Sequence, residues 1–276
     1  MTRPSTTLMH FFLGGADLEM LTIRQLLTAQ DAAFSDAGLA WGAQASSYLP
    51  EIQLCHHSDR IPVLIELEPD LSPDLLRHCR LVDHHGPHAG SDVPTSLEQV
   101  FALLNVPPER WTRRYQLVSA NDRGHIRALQ ALTPPATPEE IRCIREADMR
   151  AQGATDHDFS VAAAAAAAAV QHCQGRLTVA TTLGREGLVA ELLEPFFGGP
   201  GFQNLLVHGP RTIAFFGSGR WVRQLAEQCR GSGRFWFGGA LPEFGYWGAE
   251  ISGLSFDPLT ALESWLADES AAEAGV

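Results

Sequence analysis

The chain has 276 residues, 45% of them hydrophobic, with a formal net charge of −12. That is enough apolar material for one large core or two small ones, and the acidity argues against general affinity for long duplex nucleic acid, which requires a basic face to release counterions. No run of about 18 apolar residues suggests a membrane span, and the patch LMHFFLGG meets Asp17 and Glu19 without a basic leader, so a cytoplasmic protein is expected.

Residues 7–13, TLMHFFL, predict a buried first strand, and GGAD then turns the chain into a helical pattern through Leu18, Leu21, Ile23, Leu26 and Leu27. The apolar runs IPVLIEL (61–67) and CRLVDHH (79–85) predict further strands ending in acids or histidines, with helical SPDLLRH between them. PTSLEQVFALLNV predicts a helix capped by Thr95 or Ser96. RYQLVSANDRG (114–124) reads as a fourth strand that ends on Asp122. TPPATPEE (133–140) leads into the helix PEEIRCIREADMRAQG, and FSVAAAAAAAAVQHCQ (159–174) reads as an alanine-rich packing helix.

A domain boundary is expected after that helix, giving domains 1–174 and 175–276. From Gly175 the segments RLTVATTL, NLLVHG, RTIAFFGSG and RFWFGGALPEFGYWGAEI predict strands, separated by the helices GLVAELLEPFF and RWVRQLAEQC. The tail DESAAEAGV is small and acidic, as frayed ends are. The expected fold class is α/β: a parallel-sheet N-terminal domain, a smaller α/β C-terminal domain, and a cleft between them.

The chemistry concentrates in LVDHHGPHAG, where Asp83, His84, His85 and His88 crowd the end of an apolar strand. Polar groups there need partners, and a metal ion supplies them. The five cysteines, Cys55, Cys79, Cys143, Cys173 and Cys229, are widely spaced and odd in number; they read as reduced thiols rather than as a disulfide framework or a metal knuckle. His56-His57 near Asp59 is a weaker cluster without flanking ligands, and His88, His125 and TDHD (155–158) read as solvated loop residues, with His125 also close enough to Asp122 to share its cleft.

GGADLEML, VLIELEPD, LVDHHG and LVSANDRG, in this order, resemble the motifs of the DHH phosphoesterase superfamily, the first looking most like the exopolyphosphatase and prune branch. The resemblance covers residues 7 to 130 by motif and the rest by architecture. It implies a divalent-metal phosphoesterase, usually with a pair of manganese ions. Mn²⁺ is the expected cofactor and Mg²⁺ the alternative, as one or two ions. Carried over position by position, Asp17 binds one metal and Glu19 the other, Glu66 bridges, His84 and Asp122 complete the second site, Asp83 orients an imidazole, and His85 faces the substrate phosphate. Such hard cations prefer carboxylate oxygens with a few imidazole nitrogens, and two of them can clamp a phosphoryl group and make water more acidic.

Three positions depart from the family pattern. Glu19 and Glu66 stand where aspartate is usual, Glu68 competes with Glu66 for the motif acid, and Leu13 replaces a customary histidine, leaving His10 or another group to substitute. In the C-terminal half FFGSGRWVRQLAEQC and RFWFGGALPEFGYWG resemble the associated substrate-binding domain, with Gly238 and Gly239 lacking its usual histidine. Gly217 and Gly219 precede a helix and offer amides to an anion. Arg220 is a candidate phosphate partner, one of twenty basic residues that are all arginine. Trp236, Phe244, Tyr246 and Trp247 are candidates for stacking a base. The expected substrate is small and phosphate-bearing, such as a short oligonucleotide, a linear or cyclic dinucleotide, or polyphosphate, with no membrane partner and room for a homodimer. The rival expectation is a nucleotide-binding regulator that keeps the fold and has lost efficient catalysis.

Overall fold

A computed structural model describes residues 8–40, 42–84, 93–231, 233–239 and 241–274. The chain divides into two compact units, residues 1–153 and 154–276.

In the first unit a parallel sheet has strand order β2-β1-β3-β4, formed by β1 (Met9–Leu13), β2 (Ala33–Ser35), β3 (Ile61–Ile65) and β4 (Arg80–Val82). β1 is an inner strand and apolar except for His10, in keeping with a strand of a buried parallel sheet. On one face Phe12 and Leu64 pack with Tyr48, Ile52 and Cys55, the last two on α2 (Leu49–His57). α1 (Leu18–Ala29) packs with α4 (Ser96–Leu103), α5 (Arg113–Gln130) and α6 (Pro138–Ala151). The short α3 (Pro73–Leu76) joins β3 to β4. Thr95, not Ser96, caps α4, in a capping box with Glu98.

Two assignments from the sequence change. Residues 114–124 are helix rather than strand. Thr112 caps this helix by accepting the Tyr115 N–H, and its buried side chains Leu117, Val118 and Ala120 pack against helices instead of extending the sheet. The fourth strand is instead β2, three residues of intermediate burial between α1 and α2.

The second unit holds a six-stranded mixed sheet of order β5-β6-β7-β8-β10-β9. Its strands are β5 (Val170–His172), β6 (Leu177–Thr181), β7 (Leu205–His208), β8 (Thr212–Gly217), β9 (Phe235–Gly238) and β10 (Gly245–Glu250). Only β6 and β7 run parallel. The helices α7 (Asp156–Ala167), α8 (Glu186–Leu193), α9 (Gly219–Gln228) and α10 (Pro258–Ala274) complete it. Phe215, Trp221, Leu225, Trp247, Leu262 and Leu266 form its core.

The alanine helix ends at Ala167, and residues 170–172 form β5, antiparallel to β6. Because α7 packs on α8 and β6, the compact units part ahead of it, at Gly153, where the sequence reading puts the division after residue 174. Among the described residues no helix is long and apolar enough to cross a membrane.

Candidate metal centre

The carboxyl ends of β1, β3 and β4 set the position of the polar residues that follow them. After β1 the chain must turn beside the end of β3, and Gly14 makes this possible: a Cβ there would lie 2.4 Å from the Glu66 carbonyl oxygen and 2.6 Å from that of Ile65. Asp17 then caps α1, its Oδ1 accepting the Met20 N–H at 2.7 Å. Glu19 follows on the first turn of α1 and points inward, 1% exposed. After β3, Glu66 adopts φ +50°, a left-handed conformation that a non-glycine residue holds only when its surroundings impose it. His84 lies two residues beyond β4. Asp122 comes from α5, whose regular helix breaks two residues later at Gly124 and His125 (φ +49°, ψ −138°).

Glu19, Glu66, His84 and Asp122 each bring one donor atom into a group whose atoms all lie within 4.8 Å of one another. His84 Nε2 is 2.5 Å from Asp122 Oδ2, 3.5 Å from Glu19 Oε2 and 3.6 Å from Glu66 Oε1. Glu19 Oε1 accepts the N–H of Leu97 on α4 at 3.0 Å, while Oε2 is buried and makes no hydrogen bond. Burial, and then the charge of Asp122, pushes the Glu19 carboxyl well above the usual carboxylate range. Asp17 lies outside the quartet but feels it: burial first, then the charges of Glu66 and Asp122, push its carboxyl up to about 8. Burial alone would lower the His84 imidazole, but the neighbouring carboxylates of Asp122 and Glu19 carry it up to about 10.

Three carboxylates crowded into a buried pocket repel one another, which raises the Glu19 carboxyl and favours a bound proton or cation. A divalent cation fits the same donors. One buried carboxylate oxygen faces the pocket without a hydrogen bond, and three oxygens with one imidazole suit a first-row ion of intermediate hardness.

Of the residues expected at the site, the structure thus brings together Glu19, Glu66, His84 and Asp122. Asp17 borders them. Asp83 is half-buried between β4 and His84, its carbonyl accepting from Gln99 Nε2 at 3.0 Å. Glu66 is the acid that joins, whereas Glu68 is exposed and its backbone bonds to Ala43 and Ala45. Leu13 is fully buried and offers no ligand. His10 does not substitute: its Nε2 bonds Ser35 Oγ at 2.9 Å, and it is not in the donor group. His125 is exposed. His85 and His88 lie outside the described residues. His56 packs on His78 with tilted rings, centroids 4.2 Å apart, and belongs to no metal-holding group among the described residues.

In the second unit Arg220 lies over the Trp221 ring, 4.4 Å from its centroid, and pairs with Glu269 at 3.1 Å. Trp247 is fully buried in the core and cannot stack a base, a correction to the sequence reading. Gly238 and Gly248 carry aromatic rings of the neighbouring strand: Tyr246 lies over Gly238 and Trp236 over Gly248, each directly across the β9–β10 ladder. Gly239 adopts φ +108° where the chain leaves β9. Gly219 lies against the Pro242 carbonyl, and Gly217 against the Asn204 side chain, which accepts the Ser218 N–H.

Sequence reasoning missed Asn121, Arg145 and Asp148, which are buried around the quartet's supporting helices. The signal available was an arginine and an aspartate three apart on the inward stripe Ile141, Ile144, Arg145, Asp148 of α6.

Fold and site define an α/β protein with a buried carboxylate–imidazole quartet at the ends of a parallel sheet. No protein-family model and no curated protein matches the chain. Among solved structures it is similar to an exonuclease RecJ bound to manganese, at 10% identity and a TM-score of 0.45, covering 94% of this chain and 90% of that one. It is also similar to an exopolyphosphatase-related protein from Bacteroides fragilis, at 11% identity and a TM-score of 0.46, covering 94% and 91%. A third is RecJ in complex with Mn²⁺ from Thermus thermophilus, at 11% identity and a TM-score of 0.41; the chain spans 52% of that protein.

Proposed function

We propose that the chain is a divalent-metal phosphoesterase of the DHH type, acting on a phosphoester or phosphoanhydride bond of a small anionic substrate such as a short oligonucleotide, a dinucleotide or polyphosphate. The observation that carries this reading is the convergence of Glu19, Glu66, His84 and Asp122, from four separated motifs, into one pocket. These residues would hold the ion, Mn²⁺ by preference because the set mixes oxygen with imidazole nitrogen. When bound, a divalent ion supplies Lewis acidity toward a phosphoryl oxygen and toward water.

The chain's own part is positioning and protonation. Glu19 is fixed by the Leu97 amide, His84 by its carboxylate neighbours, and Asp17 is placed to hold a proton at neutral pH. Asp83 we assign to orienting the imidazole, and His85 to the substrate phosphate. Arg220, with Gly238 and Gly239, we assign to substrate binding; its guanidinium is exposed and would exchange Glu269 for a phosphate.

With added Mn²⁺ the purified chain is expected to turn over at least one of a model phosphodiester, a cyclic or linear diadenylate, and polyphosphate, with Asp83→Ala and His84→Ala abolishing it. No turnover of any of the three, by protein shown to contain metal, would sink the enzyme reading. Leu13, buried and apolar where the family pattern supplies a ligand, favours a second reading, a nucleotide-binding regulator. Tight nucleotide binding without metal and without turnover would establish it.

A further inference from the structure

Arg145 and Asp148, one turn apart on α6, are each only 5% exposed. Asp148 Oδ1 accepts the backbone N–H of Leu18 at 3.1 Å, in the short stretch between Asp17 and Glu19. Its Oδ2 accepts from Arg145 Nη1 at 3.1 Å. The same Nη1 donates at 2.8 Å to Oδ1 of Asn121, which is 3% exposed and directly precedes Asp122. One ion pair on α6 thereby grips both the start of α1 and the turn of α5 that delivers Asp122.

A buried ion pair seldom stabilises a fold more than apolar side chains of the same volume would. Here its hydrogen bonds end on the flanks of three acids, Asp17, Glu19 and Asp122. Asp148 alone would add another negative charge to that crowd, and Arg145 offsets it. Apolar replacements could fill the space but could not hold the Leu18 amide or the Asn121 carbonyl.

We propose that Asp148, Arg145 and Asn121 are positioning residues for the metal quartet, fixing the backbone of Glu19 and Asp122 at the separation a divalent ion requires. The inference rests on the metal reading above. Loss of groups that orient metal ligands typically weakens binding about 10- to 100-fold.

The test is Mn²⁺ titration calorimetry on the full chain, together with the electron paramagnetic resonance line shape of bound Mn²⁺ and thermal unfolding in EDTA, for wild type, Arg145→Met, Arg145→Lys and Asn121→Ala. Arg145→Met and Asn121→Ala are expected to weaken Mn²⁺ binding about 10- to 100-fold and to broaden the signal, with Arg145→Lys recovering part of the loss. A merely structural pair would lower stability in EDTA and leave the Mn²⁺ affinity of the folded protein unchanged, which overturns the inference. If Arg145→Met does not fold, Asn121→Ala decides, because it leaves the ion pair intact; wild-type affinity in that variant overturns the inference. A wild type that takes up no Mn²⁺ overturns the metal reading and the inference together, whereas variants equal to a metal-binding wild type overturn the inference alone.

Discussion

At the scale of single residues the proposed metal site sets protons against a cation. Asp17, ordinarily near 3.8, is pushed up to about 8, and His84, ordinarily near 6.5, up to about 10. Both therefore bind protons more tightly folded than unfolded, and stability falls with rising pH across both windows. For Asp17 the cost of ionising in the fold accumulates between about pH 4 and pH 8; for His84 a contribution complete below pH 6.5 is lost toward pH 10. A divalent ion binds the deprotonated acids and neutral imidazole, so binding releases protons and removes this slope. With EDTA the urea midpoint is expected to fall from mildly acidic to alkaline pH, and with Mn²⁺ to hold level or rise. A midpoint that climbs with pH in EDTA would contradict the arrangement. Gly14 allows a second test without touching a donor. Gly14→Ala drives a methyl group into two carbonyl oxygens of the β3 end and is expected to cost about 1–3 kcal/mol, read as a lower urea midpoint. It should also weaken Mn²⁺ binding, because Glu66 must move.

At the scale of elements, two capped helices that look alike in sequence should respond differently to loss of the cap. Thr95 and Thr137 each complete a capping box, with Glu98 and Glu140. Thr137→Ala is expected to cost about 1 kcal/mol and leave Mn²⁺ affinity unchanged, since its hydroxyl accepts only the Glu140 N–H of its own helix start, more than two turns from Arg145 and Asp148. Thr95 is fully buried, donates to Ser119 Oγ on α5, and holds the start of α4 where the Leu97 amide grips Glu19. Thr95→Ala should therefore cost about 1–2 kcal/mol and also lower Mn²⁺ affinity; equal metal binding in the two variants would sink the distinction. This is also where legibility in the sequence divides. β1, β3 and the cap of α4 are readable because apolar runs and cap residues are local signals. RYQLVSANDRG misleads because its buried stretch, Leu117 to Asn121, is consecutive rather than helically spaced, and includes the polar Ser119 and Asn121. β2 is three residues of intermediate burial and leaves no pattern. The quartet was legible as residue types at strand ends even though one of those strands is a helix, because Asp122 needs only to arrive at the same place. Arg145 and Asp148 were not, since a charged pair on a helix ordinarily faces solvent and only the fold reveals that this one is buried.

At the scale of the whole molecule, the division into units determines which fragments can stand alone. Every donor of the quartet, the supporting pair on α6 and the whole parallel sheet lie within residues 1–153. A fragment cut after Gly153 keeps all of these contacts and is expected to bind Mn²⁺ with the affinity of the full chain. It should also be inactive toward phosphate substrates if Arg220 and the glycines of β9 supply binding in the second unit. A cut after residue 174 instead leaves α7 attached without α8, and β5 without β6, its partner in the ladder. That exposes the apolar side of α7, where Ala162 and Ala165 are buried in the full chain, and an unpaired strand edge, which is a template for aggregation. The shorter fragment should therefore remain monomeric by light scattering while the longer one self-associates. Self-association of the shorter fragment would contradict the division at Gly153, and loss of its Mn²⁺ binding alongside binding by the full chain would show that the quartet depends on residues beyond it.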